Sequence, residues 1–249
     1  MRIRVINPNT TESMTATIAK AARAVAGPGT LIEAVTSPMG PASIESHYDE
    51  ALSVPGVLAA IAEGEAGDVV DGYVIACFGD PGLEAARELA RGPVLGIAEA
   101  AMHAASFLGR GFSVVTTLGR TTGRARDLAE HYGMGRHCLG IHACQIPVLE
   151  LETDPGAQAA ITQVCRTAVE QDGSDAIVLG CAGMADLCAS ISEQIGVPVV
   201  DGVAAATVLV QSLVTLGLIT SARSEFAAPP PKPYAGLLTP FGAAPAEDR

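Results

Sequence analysis

The chain has 249 residues, of which 49% are hydrophobic and 4% aromatic, and its formal net charge is −12 at pH 7. This apolar content excludes a disordered chain, and the negative charge repels phosphate backbones, so we expect no nucleic-acid partner. No uninterrupted apolar stretch reaches the length of a membrane span, so we expect no membrane partner either.

The N-terminal residues, Met-Arg-Ile-Arg-Val-Ile at 1–6, run directly into a predicted strand. We therefore expect no signal peptide and a cytoplasmic location. Because the cytoplasm is reducing, the six cysteines are expected to be free thiols.

Short runs of β-branched and apolar residues, bounded by polar, Gly or Pro positions, predict eight strands. The strands are expected at about 2–7, 30–35, 71–77, 93–97, 112–116, 137–144, 175–180 and 197–200. Helices are expected between them, at about 11–25, 49–64, 81–90, 98–109, 120–132, 155–171, 183–195 and 202–217. This alternation predicts an α/β fold of parallel sheets joined by right-handed crossovers.

The two halves of the chain contain related segments. Three pairs match at nearly the same offset: 71–77 with 175–181, 93–98 with 198–203 and, more loosely, 5–11 with 114–117. We interpret them as two homologous α/β lobes, each with a cysteine just past the end of a buried strand. Ligands bind at this edge of open parallel sheets, so Cys77 and Cys181 are expected to face one cleft.

The repeat also predicts the domain organisation. Residues 1–97 should form the first lobe and residues 98–201 the second, with a boundary near 97–111. The last helix, about 202–220, is expected to cross back and complete the first lobe. Residues 227–249 begin with a proline-rich stretch and are predicted to form an extended, poorly anchored tail.

Each of the two repeated cysteines begins a turn from a strand into a predicted helix. A thiolate at a helix N-terminus is stabilised by the helix dipole and by free backbone N–H groups. The same N–H groups, near Gly79 and Gly183, can stabilise a developing enolate oxygen. A single cysteine is commonly a small buried hydrophobic residue, but two at equivalent points of a repeat favour an acid–base pair, Cys77 and Cys181.

Polar side chains follow the first strand of each lobe. Asn9 offers a donor and an acceptor that suit a cyclic amide, whereas Thr10 or Thr11 can cap the first helix. Thr116 and Thr117 occupy the equivalent edge of the second lobe. Ligand binding and a purely structural role remain equally open for both groups.

One segment contains four potential metal ligands within eight residues, His137, Cys138, His142 and Cys144. In a strand, alternation sends His137 to the face opposite the other three, and spacings typical of zinc are absent. We therefore expect no metal. Dinucleotide-binding, Walker A and Gly-x-Ser-x-Gly motifs are absent as well.

The remaining titratable residues have less specific expectations. His47, His103 and His131 are expected in packing or surface positions, and Glu99 and Asp201 are expected to cap helix N-termini.

Four motifs resemble those of hydantoin racemases, which belong to the aspartate/glutamate racemase superfamily. They are Asn-Pro-Asn-Thr-Thr at 7–11, Ala-Cys-Phe-Gly-Asp-Pro-Gly at 76–82, Leu-Gly-Cys-Ala-Gly-Met at 179–184 and Val-Pro-Val-Val-Asp-Gly-Val at 197–203. The resemblance extends to about residue 220 and implies a pseudo-symmetric two-lobe fold, no cofactor, and a catalytic pair formed by Cys77 and Cys181. The implied ligand contacts are Asn9, Phe78, Gly79, Thr116, Thr117, Ala182 and Gly183.

The residues beside the two thiols differ from those of amino-acid racemases in this superfamily, which carry Cys-Asn-Thr and Cys-Thr-His. Here the triplets are Cys-Phe-Gly at 77–79 and Cys-Ala-Gly at 181–183. The resemblance therefore implies a less polar pocket suited to a neutral ring, with Phe78 as an apolar wall. Arylmalonate decarboxylases keep one of the two cysteines, so the presence of both favours racemisation.

The expected function is racemisation of 5-monosubstituted hydantoins, in which one thiolate removes the C5 proton and the opposite thiol returns one. Allantoin racemisation is the main alternative. A maleate-isomerase-like enzyme with a nucleophilic cysteine, or a lobe pair that binds a ligand without turnover, is more distant. We also expect a homo-oligomer.

Overall fold

Two parallel four-stranded sheets form the framework of the computed structural model, which describes residues 1–67 and 69–242. The strands of the first sheet are β1 (Arg2–Asn7), β2 (Leu31–Thr36), β3 (Gly72–Ile75) and β4 (Val94–Gly96), in the order β2-β1-β3-β4. The strands of the second are β5 (Phe112–Thr116), β6 (Cys138–Ala143), β7 (Ala176–Leu179) and β8 (Val199–Val200), in the order β6-β5-β7-β8. The two orders are equivalent, so the predicted α/β fold of two pseudo-symmetric lobes is confirmed.

Eight α-helices connect these strands within the described ranges. They are α1 (Glu12–Val25), α2 (His47–Ala66), α3 (Leu83–Leu89), α4 (Ile97–Ser106), α5 (Thr122–His131), α6 (Ala157–Asp172), α7 (Cys188–Ile195) and α8 (Gly202–Thr215). All eight predicted strands and helices are present, with boundaries shifted by a few residues. The helix predicted at 183–195 differs, because its first part, Ala182–Leu187, has the tighter 3₁₀ form. No helix in the described part of the chain is long and apolar enough to cross a membrane.

The two central strands of each sheet are almost completely buried, because helices cover both faces of the sheet. Ile3 of β1 and Tyr73 of β3 are fully enclosed in the first lobe, as are Phe112 of β5 and Ile177 of β7 in the second. This burial explains why these strands are continuous apolar runs in the sequence.

The two lobes exchange helices. Helix α8 follows the last strand of the second sheet, yet its Val203 and Val210 share a hydrophobic core with Val5 and Val74 of the first sheet. Conversely, α4 packs in the second lobe, where Met102 lies in the same core as several second-lobe residues. We therefore propose the division expected from the sequence, with 1–97 and 202–220 in one lobe and 98–201 in the other.

The N-termini of the exchanged helices are capped by aspartates. Asp201 accepts hydrogen bonds from the N–H groups of Val203 and Ala204 at 2.9 and 3.0 Å, which confirms its predicted role in α8. The prediction for Glu99 is wrong: it forms an ion pair with Arg87 at 2.6 Å.

The cap of α4 comes from Asp80, which accepts from the N–H groups of Ala98 and Glu99 at 3.0 and 2.9 Å. Residue 96, at the N-cap position, is a glycine without a capping side chain. A Cβ atom at Gly96 would collide with the Asp80 carboxylate, so the glycine makes room for a cap supplied by a distant loop.

The C-terminal tail differs in part from the predicted extended segment. Residues 226–229 are half-buried, and Gly236–Phe241 forms a 3₁₀ helix in which Thr239 Oγ1 donates to the Gly236 carbonyl. That helix is mostly exposed, including Leu237 at 96%. Residues 243–249 of the predicted tail lie outside the described residues.

Candidate active site

A cavity between the carboxyl ends of the two sheets is lined by both repeated cysteines. Cys77 lies two residues past β3 and Cys181 two residues past β7, the equivalent strand of the second lobe. The space between its walls, including the part open to solvent, amounts to about 740 Å³. The cleft therefore brings one thiol from each lobe to a common space.

The cavity collects most of the residues singled out from the sequence. Its walls include Asn9, Cys77, Phe78, Gly79, Thr116, Thr117, Cys181 and Ala182. Gly183 does not line it and lies beside Cys181, whose pKa its N–H group lowers. The Gly79 N–H has the same effect on the pKa of Cys77, and Gly79 also forms part of the wall.

Burial governs the charge state of both thiols. Burial raises the pKa of Cys77 to about 12 and that of Cys181 to about 11. The N–H groups of Gly79 and Gly183 lower these pKa values by less than burial raises them. Both thiols therefore carry protons at neutral pH.

The expectation that each thiol lies at a helix N-terminus is wrong for Cys77. Helix α3 begins only at Leu83, beyond the turn in which the Asp80 N–H donates to the Cys77 carbonyl at 3.0 Å. Cys181 precedes a short 3₁₀ helix, and its desolvation outweighs the favourable amide contact. The stabilising groups are thus single backbone amides.

Asn9 is engaged in local structure on one side of its amide group. Its Oδ1 accepts from Asn7 Nδ2 at 2.8 Å and from the Thr11 N–H at 2.9 Å, whereas its Nδ2 contacts the Met14 sulfur at 3.0 Å. A thioether is a weak acceptor, so Nδ2 can turn to a ligand. Asn9 therefore offers a donor, and the predicted acceptor is already occupied.

The threonines of the two predicted edges have different roles. Thr116 Oγ1 hydrogen-bonds Thr121 Oγ1 at 3.0 Å, so it is committed to the loop. Thr117 is buried at the cavity wall, and its hydroxyl has no hydrogen-bond partner within residues 1–67 and 69–242. Thr11 occupies the N-cap position of α1, but its hydroxyl donates to the Ala42 carbonyl at 2.7 Å instead of capping the helix.

Charged side chains that sequence reasoning missed also line the cavity. The basic group consists of Arg120, Arg124 and His47, and the acidic group of Glu45 and Glu50. His47 is exposed, as expected, yet it borders the cavity. The pocket is thus more polar than the two cysteine triplets imply, because these residues come from α2, α5 and the loops before them.

Three of these side chains take part in two bonds across the cleft. Arg124 of α5 pairs with Glu50 of α2 at 2.7 Å, and Glu45 Oε1 accepts from the Val148 N–H at 2.6 Å. Burial raises the pKa of Glu50, although the Arg124 charge lowers it. Arg120 is exposed and forms no ion pair with any residue in the described ranges.

The potential metal ligands of β6 have other partners. His142 Nε2 lies 2.7 Å from Asp172 Oδ2, and the Cys144 thiol donates to the Thr117 carbonyl at 3.6 Å. In the described part of the chain, no three His, Cys, Asp or Glu side chains are arranged to hold a metal ion. All six cysteines are free thiols, as predicted.

Residues 3–210 match the family described as Asp/Glu/Hydantoin racemase. The chain belongs to this family. The predicted membership in a superfamily of racemases, which are isomerases, is therefore confirmed.

Individual relatives cover nearly the whole chain. A hydantoin racemase of Pseudomonas sp. (strain NS671) is 48% identical over 97% of this chain and 97% of its own length. The solved structure of an allantoin racemase from Klebsiella pneumoniae is 53% identical, covers 96% of this chain and 98% of its own, and superposes with a TM-score of 0.93. That of an allantoin racemase from Pseudomonas fluorescens is 43% identical, with coverages of 95% and 100% and a TM-score of 0.90.

Proposed function

We propose that the protein racemises 5-monosubstituted hydantoins, with Cys77 and Cys181 as the two acid–base groups and no cofactor. The observation that carries the proposal is the presence of both thiols in one cavity, at equivalent positions of two lobes. Groups that protonate opposite faces of one carbon must approach it from opposite sides, and a cleft between two related lobes provides this arrangement.

The reaction begins with removal of the hydrogen at C5, which is weakly acidic because it lies beside the C4 carbonyl. One cysteine acts as thiolate and removes this proton, and the other acts as thiol and delivers a proton to the opposite face. The two must start in opposite protonation states, so they titrate as a coupled pair. Their electrostatic coupling raises the pKa of Cys77 in addition to the larger effect of burial.

Stabilisation of the enolate oxygen falls to side chains in this proposal. The Gly79 and Gly183 amides lower the pKa values of the two thiols, so they serve the thiolates. The unpaired hydroxyl of Thr117 and the Nδ2 group of Asn9 are buried donors at the cavity wall, and Arg120 offers further donors from an exposed position. This assignment differs from the sequence-based expectation that one set of amides serves both thiolate and enolate.

We expect kcat/KM to rise with pH across roughly pH 7 to 10, because the reactive form needs one thiolate. Since the pKa values are raised to about 11 and 12, the fraction with one thiolate grows almost tenfold per pH unit in this range. Circular dichroism of an enantiopure hydantoin measures the rate, after subtraction of spontaneous racemisation in enzyme-free buffer. A bell-shaped profile centred near neutrality contradicts this assignment of the titrating groups.

A panel of enantiopure substrates tests the proposed function directly. The 5-monosubstituted hydantoins should lose their optical rotation, whereas free aspartate and glutamate should keep theirs. A free amino acid brings two charges into the cleft, and desolvating charges without matched partners costs several kcal/mol. Arg124 and Glu50 already neutralise one another, and Arg120 is exposed to solvent, so neither arginine is a buried, unpaired partner for a carboxylate. Racemisation of aspartate at a rate comparable to that of a hydantoin contradicts the proposal.

Allantoin is the second candidate substrate, and the polar residues of the cavity favour it. Its ureido substituent carries both N–H donors and a carbonyl acceptor. Glu45 retains Oε2 as an acceptor, and Arg120 provides donors at the same cavity. A comparison of kcat/KM for allantoin and 5-benzylhydantoin distinguishes the two, because an aromatic substituent uses neither group.

The cytoplasmic location and the homo-oligomer remain predictions.

A further inference from the structure

The loop that carries the first thiol, residues 77–80, is held by the other lobe. Its Phe78 is 7% exposed and belongs to the hydrophobic core of the second lobe, together with Ala125 and Leu128 of α5. The loop therefore extends from the first sheet, while its Phe78 is buried in the core of the second lobe. We call residues 77–80 the Cys77 loop.

Polar contacts from α5 hold two further residues of the Cys77 loop. Arg124 Nη2 donates to the Gly79 carbonyl at 2.7 Å, and Tyr132, directly after α5, donates its hydroxyl to Asp80 Oδ2 at 2.7 Å. Asp80 is 2% exposed and also binds the N-terminal N–H groups of α4. Three successive loop residues, Phe78, Gly79 and Asp80, are thus held by the second lobe.

The backbone conformation of the Cys77 loop requires such support. Asp80 has φ of +45°, which is unfavourable for a residue other than glycine. In this conformation the Asp80 N–H closes the turn on the Cys77 carbonyl at 3.0 Å, and Gly79 lies beside the thiol, where its N–H lowers the pKa of Cys77. Loss of a contact at Asp80 is therefore expected to move the amide that stabilises the thiolate.

The second thiol is attached differently. Ala182, next to Cys181, lies in the first-lobe core that contains Met14 and Ile18 of α1. The nearby ion pair between Lys20 and Asp186, with a distance of 2.6 Å, is exposed to solvent. The loop around Cys181 is therefore held by apolar contacts with the opposite lobe. Among the described residues, it has no hydrogen bond equivalent to the buried one between Tyr132 and Asp80. The polar support is specific to Cys77.

We propose that Tyr132 is a positioning residue for Cys77: through Asp80 it holds the Cys77 loop so that the Gly79 amide stabilises the thiolate. Tyr132 does not line the cavity and acts from behind the loop. The kinetic part of this inference rests on the proposed function. The titratable groups whose charges raise the pKa of Cys77 are Cys181, Asp80 and Glu50.

The test compares Tyr132→Phe with a matched control, Tyr73→Phe. Tyr73 is a buried first-lobe tyrosine that donates to Glu65 Oε1 at 2.8 Å and does not line the cavity. Each variant loses one tyrosine–carboxylate hydrogen bond. Alkylation by iodoacetamide is followed against pH, and peptide mass spectrometry reports Cys77 and Cys181 separately without any substrate.

In Tyr132→Phe, the alkylation profile of Cys77 should move to higher pH, because the Gly79 N–H is displaced and stabilises the thiolate less well. The Cys181 profile should stay unchanged. With a hydantoin substrate, kcat should fall by about tenfold or more, as expected for loss of a hydrogen bond to a charged group, and KM should change little. Tyr73→Phe should lower the melting temperature while leaving the profiles and kcat unchanged.

Arg124→Lys provides an independent variant of the same loop support, because it keeps the charge but loses the planar fork. It should move the Cys77 profile in the same direction. The inference is overturned if Tyr132→Phe leaves both the Cys77 alkylation profile and kcat unchanged. It is also overturned if the Cys77 and Cys181 profiles shift equally, or if the Cys77 profile shifts to lower pH. Absence of hydantoin turnover by the unmodified protein overturns the proposed function instead, and the alkylation comparison still tests the inference.

Discussion

Replacing either Cys77 or Cys181 by alanine is expected to reduce racemisation by about 10²- to 10⁴-fold, the usual contribution of a general acid or base. Both thiols line the cavity, so truncation to alanine leaves the core packing largely intact. Rates are measured by circular dichroism on each enantiomer of one hydantoin. Cys165→Ala is the control, because Cys165 is fully buried in the second lobe away from the cavity and should be dispensable for activity.

Deuterium exchange sharpens this prediction. Each single variant retains one thiol on one face of C5, so it should exchange the C5 hydrogen of one enantiomer without inverting it. The two variants should act on opposite enantiomers. Substantial racemisation that survives in either variant contradicts the two-base mechanism, and exchange of the same enantiomer by both variants contradicts the placement of the thiols on opposite faces.

The second large effect is expected where the exchanged helices cross. A Cβ atom at Gly202, the first residue of α8, would lie 2.6 Å from the carbonyl oxygen and 3.0 Å from the Cβ of Ile97, the first residue of α4. A backbone carbonyl cannot move aside easily. Gly202→Ala should therefore lower the free energy of unfolding by about 1–3 kcal/mol, as is typical of overpacking.

Urea denaturation monitored by far-ultraviolet circular dichroism measures this loss. Gly123→Ala is the matched control, because a Cβ atom at Gly123 of α5 would meet nothing within 4 Å. In a helix this control substitution should stabilise by up to about 1 kcal/mol. If Gly202→Ala changes the stability by less than about 0.5 kcal/mol, the close approach of α4 and α8 is not as constrained as the geometry indicates.

The sequence was most informative where the determinants are local. The strands ending near Cys77 and Cys181 were found because parallel strands buried on both faces leave continuous apolar runs, and their repetition revealed the two lobes. The position of Asn9 at the sheet edge followed in the same way. Such patterns require only neighbouring residues, so they could be interpreted without knowledge of the tertiary structure.

Contacts between distant residues were not predictable from one sequence. Arg124 reaches the Gly79 carbonyl across 45 positions of chain, and Asp80, not Glu99, caps α4. The raised pKa of Cys181 depends mainly on desolvation by surrounding elements, which no local motif encodes. For the same reason, the charged residues of the cavity were missed while its thiols were found.

The exchange of α4 and α8 also affects the order in which the molecule can be completed during synthesis. A nascent chain that ends at residue 201 contains the whole first sheet, but the apolar face covered by Val203, Ala206 and Val210 is still open. The N-terminal half therefore cannot finish its core before the C-terminal helix leaves the ribosome. Folding of the first lobe is tied to translation of almost the entire chain, and the two halves should unfold as one cooperative unit.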